Sequence, residues 1–390
     1  MNIVIYANDP LVFRDGRPFG DAGHVNDGVI LWPWPSTIAG VLRTRIGLNR
    51  DKDFFAKTSQ KENIGAIKKV HINRVLPLWR ADDSETWQHL FPAPADALVV
   101  EDGERDEYRI YSYSYEDPFE GGGINLAWKN WRIPVAETAE KPASDAPAFW
   151  YEDKFFAWLR HGSVPGPIKA KDLGFSWPAL ETRMHTAIDP ETGTVKTGQL
   201  FSSSGIRMET QESEREAGGR FGIGAELTGL LPSDTPEGNC LIGGERRVAY
   251  IERIENRFPS CPDWFENARF LRLILISPGD FGAWAPSWLI PDKDRDETNW
   301  SRVPGTDIDV RLCSAFVPRW RPISGWDYEK QAPKATRKLV PAGAVYVIEI
   351  KDSSRSRDLA GLLWGRSLNE NPDDQDGFGC VCIGNCSIND

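Results

Sequence analysis

Two groups of residues in this chain have the types and spacing to grip a polyanion. The run Gly243-Gly244-Glu245-Arg246-Arg247 sets two permissive backbone positions beside two guanidinium groups, so free N–H donors and Arg forks could meet one phosphate. The plainer reading is a tight turn before a strand at 248–255, with solvated arginines. Gly377-Phe378-Gly379 carries the same two readings. Between Arg311 and Lys338 stand seven basic residues (Arg311, Arg319, Arg321, Lys330, Lys334, Arg337, Lys338) against two acids, Asp327 and Glu329, with Trp320, Trp326 and Tyr328 among them. A single-stranded nucleic-acid groove needs that mixture: charge follows the backbone while rings stack on bases, at roughly 1–3 kcal/mol each. A solvated loop is the alternative. Smaller basic groups lie at Arg14 and Arg17, at Arg43, Arg45 and Arg50, and at Lys68, Lys69, His71 and Arg74.

Catalytic patterns are poor. His24, His71, His89, His161 and His185 are scattered without metalloprotease spacing, and no nucleophile elbow, P-loop or dinucleotide fingerprint is present. Gly222-Ile223-Gly224 lacks the third glycine. His185, in Arg183-Met184-His185-Thr186, is the one candidate general base for RNA cleavage, or a base-stacking ring; a strand histidine with one structural hydrogen bond is the plainer reading. Cys380, Cys382 and Cys386 form C-x-C-x₃-C, one ligand short of a structural zinc site, while Cys240, Cys261 and Cys313 stand alone. Reduced, buried thiols are expected, with neither metal nor cofactor. Asp373, Asp374 and Asp376 could bind a divalent ion, but Asn371-Pro372 and Gly377 around them fit a solvated linker.

The elements that must position these residues are legible in part. The 390 residues are 40% hydrophobic, enough for two or three domains with real cores. The net charge of −11 excludes a uniformly basic surface that would bind any nucleic acid. No run of eighteen apolar residues occurs, and Met1 leads straight into a strand, so a soluble, cytoplasmic protein is expected. Residues 2–7 read as a buried strand. Trp34-Pro35-Ser36 opens a helix with Ser36 as N-cap and Ile38, Val41, Leu42 and Ile46 on one face; its N-terminus, with Ser36 and Thr37, would favour anions near the Arg14/Arg17 loop. Strands are predicted at 70–78 and 107–115, a helix at 149–161, and a hairpin at 182–208 around Asp189-Pro-Glu-Thr-Gly193. The C-terminal third reads as strand 269–276, helix 282–289, strands 308–317 and 343–350, helix 355–364 and strand 378–384. That βαββαβ order is ferredoxin-like. The expectation is an α+β protein of two ferredoxin-like domains with long insertions, 1–240 and 241–390.

Three segments carry a family resemblance. Asp9-Pro-Leu-Val-Phe-Arg-Asp-Gly-Arg-Pro-Phe19, Pro35-Ser-Thr-Ile-Ala-Gly-Val-Leu-Arg43 and His185-Thr-Ala-Ile-Asp-Pro-Glu-Thr-Gly-Thr-Val-Lys-Thr-Gly-Gln-Leu-Phe201 resemble, in order, subunit three of the type III-B CRISPR (Cmr) effector complex. This is a RAMP protein of the class that caps the 5′ end of the guide RNA. The likeness runs from about residue 3 to residue 384. It implies two ferredoxin-like domains and a non-catalytic, antiviral role. It also implies a grip on the 5′ tag of the guide, contact with the large polymerase/cyclase-like subunit and with the first backbone RAMP subunit, and only indirect contact with target RNA. A thumb-like hairpin helps to set the first base-pairing register, and 182–208, with His185 and Lys196, takes that place by order. Arg14, Arg17, Arg43, Arg246, Arg247, Lys334 and Arg337 would then hold phosphates, Gly40, Gly243 and Gly244 would let the RNA backbone approach, and Trp326 would stack. Two departures stand out: the acidity of the chain and its cysteine tail. The rival readings are a RAMP endoribonuclease that matures guide RNA with His185 as general base, and a carbohydrate-binding protein using its 16 tryptophans, for which no repeated Trp/Asp motif is seen.

Overall fold

The computed structural model describes residues 1–15, 29–55, 60–103, 106–118, 130–213, 216–290, 299–327, 330–370 and 375–388. It is a mixed α/β fold of mostly antiparallel sheets with few helices. The elements that matter here, in chain order, are β1 (Asn2–Tyr6), α1 (Pro35–Arg50), β2 (His71–Ala81), β3 (Gln88–Pro92), β4 (Phe149–Tyr151), α2 (Glu152–His161), β5 (Leu180–Ile188), β6 (Val195–Ile206), β7 (Gly219–Thr228), β8 (Gly238–Ile242), β9 (Arg247–Ile254), β10 (Phe270–Leu275), β11 (Asp309–Phe316), β12 (Val345–Ile350), α3 (Ser356–Leu363) and β13 (Val381–Cys386). No helix among the described residues is long and apolar enough to cross a membrane.

The first large sheet runs β4-β3-β2-β7-β1-β9-β8, with Gly174–Phe175 beyond β4, and every neighbouring pair is antiparallel. α1 crosses from β1 to β2 and lays Ile38, Ala39, Leu42 and Ile46 onto one face of the sheet, against the inward Ile3, Ile5, Ile223 and Ile251. On the other face Gly222 and Gly224 leave β7 without side chains. A Cβ on Gly222 would lie 2.7 Å from the Trp87 ring, so these glycines make room for Trp87 and Leu78 rather than for a nucleotide.

The second sheet runs β11-β12-β10-β13, also antiparallel throughout, with Ser301–Arg302 outside β11. α3 leads from β12 to β13. The helix expected at 282–289 is absent. Residues 279–290 form turns in which Leu289 donates to the Pro286 carbonyl at 2.9 Å, and Gly282 has φ +67°. Pro286, with no N–H and a ring that clashes one turn back, falls where the helix interior would have been. The expected helix 149–161 begins instead at Glu152, because Phe149–Tyr151 is taken by the first sheet. The hairpin is present as β5 and β6, joined over 189–194.

One buried ion pair fastens these layers. Arg272 on β10 is 3% exposed and Asp96, on the loop after β3, is 2% exposed; their side chains meet at 2.8 Å. Arg272 Nε donates to the Asn385 carbonyl at 2.8 Å, and its remaining nitrogen to the carbonyls of Trp158 (2.6 Å) and Leu159 (3.3 Å) in the last turn of α2. Trp158 Nε1 donates back to Asp96 at 3.0 Å. The guanidinium therefore neutralises a carboxylate and also sits at a helix C-terminus, where cations are favoured. Removing one partner leaves the other buried and uncompensated. Asp96→Ala should cost roughly 3–5 kcal/mol, whereas Arg272→Met/Asp96→Leu should recover most of that loss. Thermal and urea midpoints of the two variants check this, and equal destabilisation by both would contradict it.

Candidate nucleic-acid interface

The glycine turn is built onto the N-terminal segment. Gly244 donates its N–H to the Val12 carbonyl at 2.7 Å. Gly243 has φ +69°, and a Cβ there would run into that same carbonyl oxygen, so glycine is required twice over. Glu245 and Arg246 also sit at positive φ, +56° and +52°, which closes the four-residue loop between β8 and β9. One residue earlier, Leu11 exchanges two backbone hydrogen bonds with Ile206, at 2.9 and 2.7 Å, and Gly205 packs beneath Pro10. Residues 9–14, the 243–247 turn and the base of the β5–β6 hairpin thus form one unit. Arg14 and Arg246 are exposed on it. Arg247 is turned back on Glu245 at 2.7 Å. Arg17 lies outside the described residues.

The hairpin is amphipathic. Leu180, Met184 and Leu200 are exposed, on one face by the ladder register, while Glu181, Arg183 and His185 line the other. His185 Nε2 is 2.8 Å from Ser203 Oγ across the ladder, the structural hydrogen bond that was one of its three readings. Lys196 is exposed near the tip.

The start of α1 differs from expectation. Pro35 occupies the first helical position and Trp34 the cap, without a side-chain cap, so Ser36 is inside the helix. The N–H groups of Thr37 and Ile38 go to the Trp34 carbonyl at 2.9 and 3.4 Å, which leaves fewer donors for an anion than a Ser36 cap would have left. Gly40 is exposed, and nothing lies within 4 Å of where its Cβ would be. Arg43 faces inward: its guanidinium pairs with Asp376 at 2.5 Å and donates to the carbonyls of Val70 (3.0 Å) and Gln375 (3.4 Å). That commits Asp376; Asp373 and Asp374 lie outside the described residues.

The basic stretch forms an arm, with Arg321–Ile323 paired to Arg337–Leu339 and Trp326–Asp327 to Ala332–Pro333. Its inner face carries Ile323 and Leu339, packed on Phe378 and Trp34, so the arm is rooted at the start of α1. Phe13 and Ile30 share a 3.0 Å backbone hydrogen bond, and the chain runs on from there to Trp34, linking the glycine-turn unit to this root. Arg337 shares the inner face, pairs with Asp280 and lies 5.6 Å over the Phe378 ring. Lys338 points the other way, 4.8 Å over Trp320. Trp320 is 45% and Trp326 49% exposed, and Lys334 is exposed. Arg319, Trp320, Arg321 and Lys338 are thus further exposed members of a cluster from which sequence reasoning selected Trp326, Lys334 and Arg337. Alternation separates Arg337, in phase with the buried Leu339, from Lys338, which is out of phase; Arg321, opposite Leu339, is exposed all the same.

Gly377 and Gly379, at φ +87° and +70°, hold Phe378 in the core, and Gly379 donates to the Pro278 carbonyl at 2.7 Å. The cysteine tail is packed. Cys380 and Cys382 are buried, and Cys380 Sγ contacts the Asn73 carbonyl at 3.2 Å. Burial pushes the Cys386 thiol up to about 11 and Cys313 up to about 12. Among the described residues no group of three His, Cys, Asp or Glu is placed to hold a metal.

Residues 3–386 match the model of a family of CRISPR-associated proteins. The chain belongs to that family, Cas_Cmr3, which is that of subunit three of the type III-B Cmr effector complex. Among solved structures it is similar to a chain of a type III-B Cmr-beta complex bound to cognate target RNA, at 16% identity and a TM-score of 0.42, covering 89% of this chain and 86% of that one. It is also similar to a chain of a Csm3–Csm4 subcomplex of the type III-A interference complex, at 10% identity and a TM-score of 0.31, covering 89% and 92%. No curated protein matches it.

A glycine within α1 costs stability that alanine would restore. Gly40→Ala should therefore raise stability by roughly 0.5–1 kcal/mol while weakening any ligand that lies against the helix. Paired melting and RNA-binding measurements separate the two effects. A variant that is neither more stable nor weaker in binding would show that the missing Cβ serves nothing here.

Proposed function

We propose that this chain holds the 5′ tag of the guide RNA in a type III-B effector complex, in the cytoplasm, and bridges the large polymerase/cyclase-like subunit to the first backbone RAMP subunit, with no chemistry of its own. Family membership along residues 3–386 supports the setting. The observation that carries the reading is the joining of three parts: residues 9–14, which open the first resemblance-bearing segment, the glycine turn and the base of the hairpin are fastened through the backbones of Leu11 and Val12. Such a preformed unit binds without first having to order its loops. The tag would lie across Arg14, Arg246 and the backbone of Gly243 and Gly244, near the start of α1. Single-stranded RNA allows bases to be splayed and read on their edges. The β5–β6 hairpin would serve as the thumb, its exposed Met184 and Leu200 meeting bases of the guide–target duplex or the neighbouring subunit. His185 then works within the ladder rather than as a base for RNA cleavage.

The architecture fits two ferredoxin-like units that have each kept one crossover helix. In chain order the central strands of the first sheet run fourth, first, third, second (β9-β1-β7-β2), and those of the second sheet give the same order (β13-β10-β12-β11). The first unit keeps α1 and the second keeps α3. On this reading the units divide after Ile254 rather than near 240, because β8 and β9 hydrogen-bond into the first sheet.

Arg14→Ala/Arg246→Ala should weaken binding of the complex's own guide RNA and reduce the slope of log K against log salt by about 1.4, since each phosphate contact on a single strand contributes about 0.7. The fold should persist. Fluorescence anisotropy at several salt concentrations measures it; unchanged affinity and slope would sink the assignment.

A further inference from the structure

We infer that the arm formed by residues 319–327 and 330–339 is a second contact for single-stranded RNA, tolerant of sequence and separate from the glycine-turn cradle. The inference rests on the preceding reading for its RNA but not for its residues. Elsewhere among the described residues arginines are spent on the protein itself: Arg43, Arg50, Arg74, Arg272 and Arg311 each pair with a carboxylate of another element. On the arm the pattern reverses. Arg319, Arg321, Lys330, Lys334 and Lys338 are all exposed, and none has a carboxylate within ion-pair distance among the described residues. Only Arg337, on the inner face, is committed.

The rings follow the same division. Trp320 lies beyond the strand pair, about half exposed and covered by Lys338 at 4.8 Å. Trp326 is about half exposed where the second strand pair begins. Two large half-exposed rings, among five cations without a carboxylate partner, supply what a sequence-tolerant single strand asks for: flat surfaces for splayed bases and charges for the phosphates between them. An acidic protein surface would use the cations but would leave no reason for the exposure of Trp326, and a base can take the place of Lys338 over Trp320. The root is rigid, since Ile323 and Leu339 are buried against Phe378 and Trp34. The arm can therefore present these groups without a folding cost at each encounter. A chain of net charge −11 can engage RNA in this way, because five exposed basic residues stand together on the arm.

The test uses the 390-residue chain with two fluorescent probes, an oligouridylate and the guide RNA recovered from the complex, titrated at several salt concentrations. Arg321→Gln/Lys334→Gln/Lys338→Gln should lower the salt slope by about 2 for both probes, three contacts at about 0.7 each. Trp320→Leu/Trp326→Leu, which keeps apolar bulk and so guards the fold, should weaken oligouridylate binding by at least about fivefold per ring. Both variants should keep the wild-type preference for guide over oligouridylate. Wild-type affinity and slope in either variant, with a native circular dichroism spectrum, would overturn the inference. So would unchanged RNA binding combined with loss of a protein subunit on co-purification, which would make the arm a protein contact. A cradle variant that keeps full guide preference would defeat the preceding reading and leave the arm to be judged on oligouridylate alone.

Discussion

The pair between Arg272 and Asp96 sets the terms for the rest of the molecule. Two charges removed from water are tolerated only with hydrogen-bond partners, and here each side-chain nitrogen and oxygen of the pair has at least one, from Asn385, Trp158 and Leu159 as well as from each other. Meeting those conditions requires the loop after β3, the last turn of α2 and strands β10 and β13 to converge on one point. α2 belongs to the first half of the chain, yet its Trp158 and Phe155 are part of the core that includes the second sheet. The two halves cannot separate without exposing that charge.

Further clips follow the same logic at lower cost. Arg74 on β2 donates to Glu226 at 2.8 Å and to the Gly365 carbonyl at 2.9 Å while lying 4.3 Å over Phe258. Arg43 reaches Asp376 across 333 residues of sequence. Each such arginine is a positive charge withdrawn from any ligand. Arg14, Arg246 and the basic residues of the arm other than Arg337 are among those that stay exposed. The acid excess of the chain and its basic projection are compatible because one is a sum over the surface and the other is local.

Much of this was legible from local grammar. Apolar, β-branched runs located β1, β2, β10 and β12, the Asp189-Pro-Glu-Thr-Gly193 turn located the hairpin, and helical spacing located the buried face of α1. What could not be read was partnership. Nothing adjacent to Arg43 or Arg337 in sequence indicates Asp376 or Asp280, so both looked like phosphate ligands. Ser36 resembled a cap because cap chemistry is local, but Pro35 at the first helical position moved the boundary by two residues. The missing helix at 282–289 shows apolar spacing losing to a single proline. Gly243 was read correctly as permissive, whereas the reason for it, the Val12 carbonyl, lies on a segment 231 positions away.

The central claim is that guide RNA passes over the cradle and the arm of this subunit. It is tested most directly by purifying the intact complex, placing a photoreactive uridine in turn along the guide, and mapping the crosslinked peptides. The account predicts crosslinks from the 5′ tag to residues 9–14 and 243–247, and from adjoining nucleotides to residues 319–339. Crosslinks from the tag to other subunits alone, or guides without a common 5′ end, would contradict it.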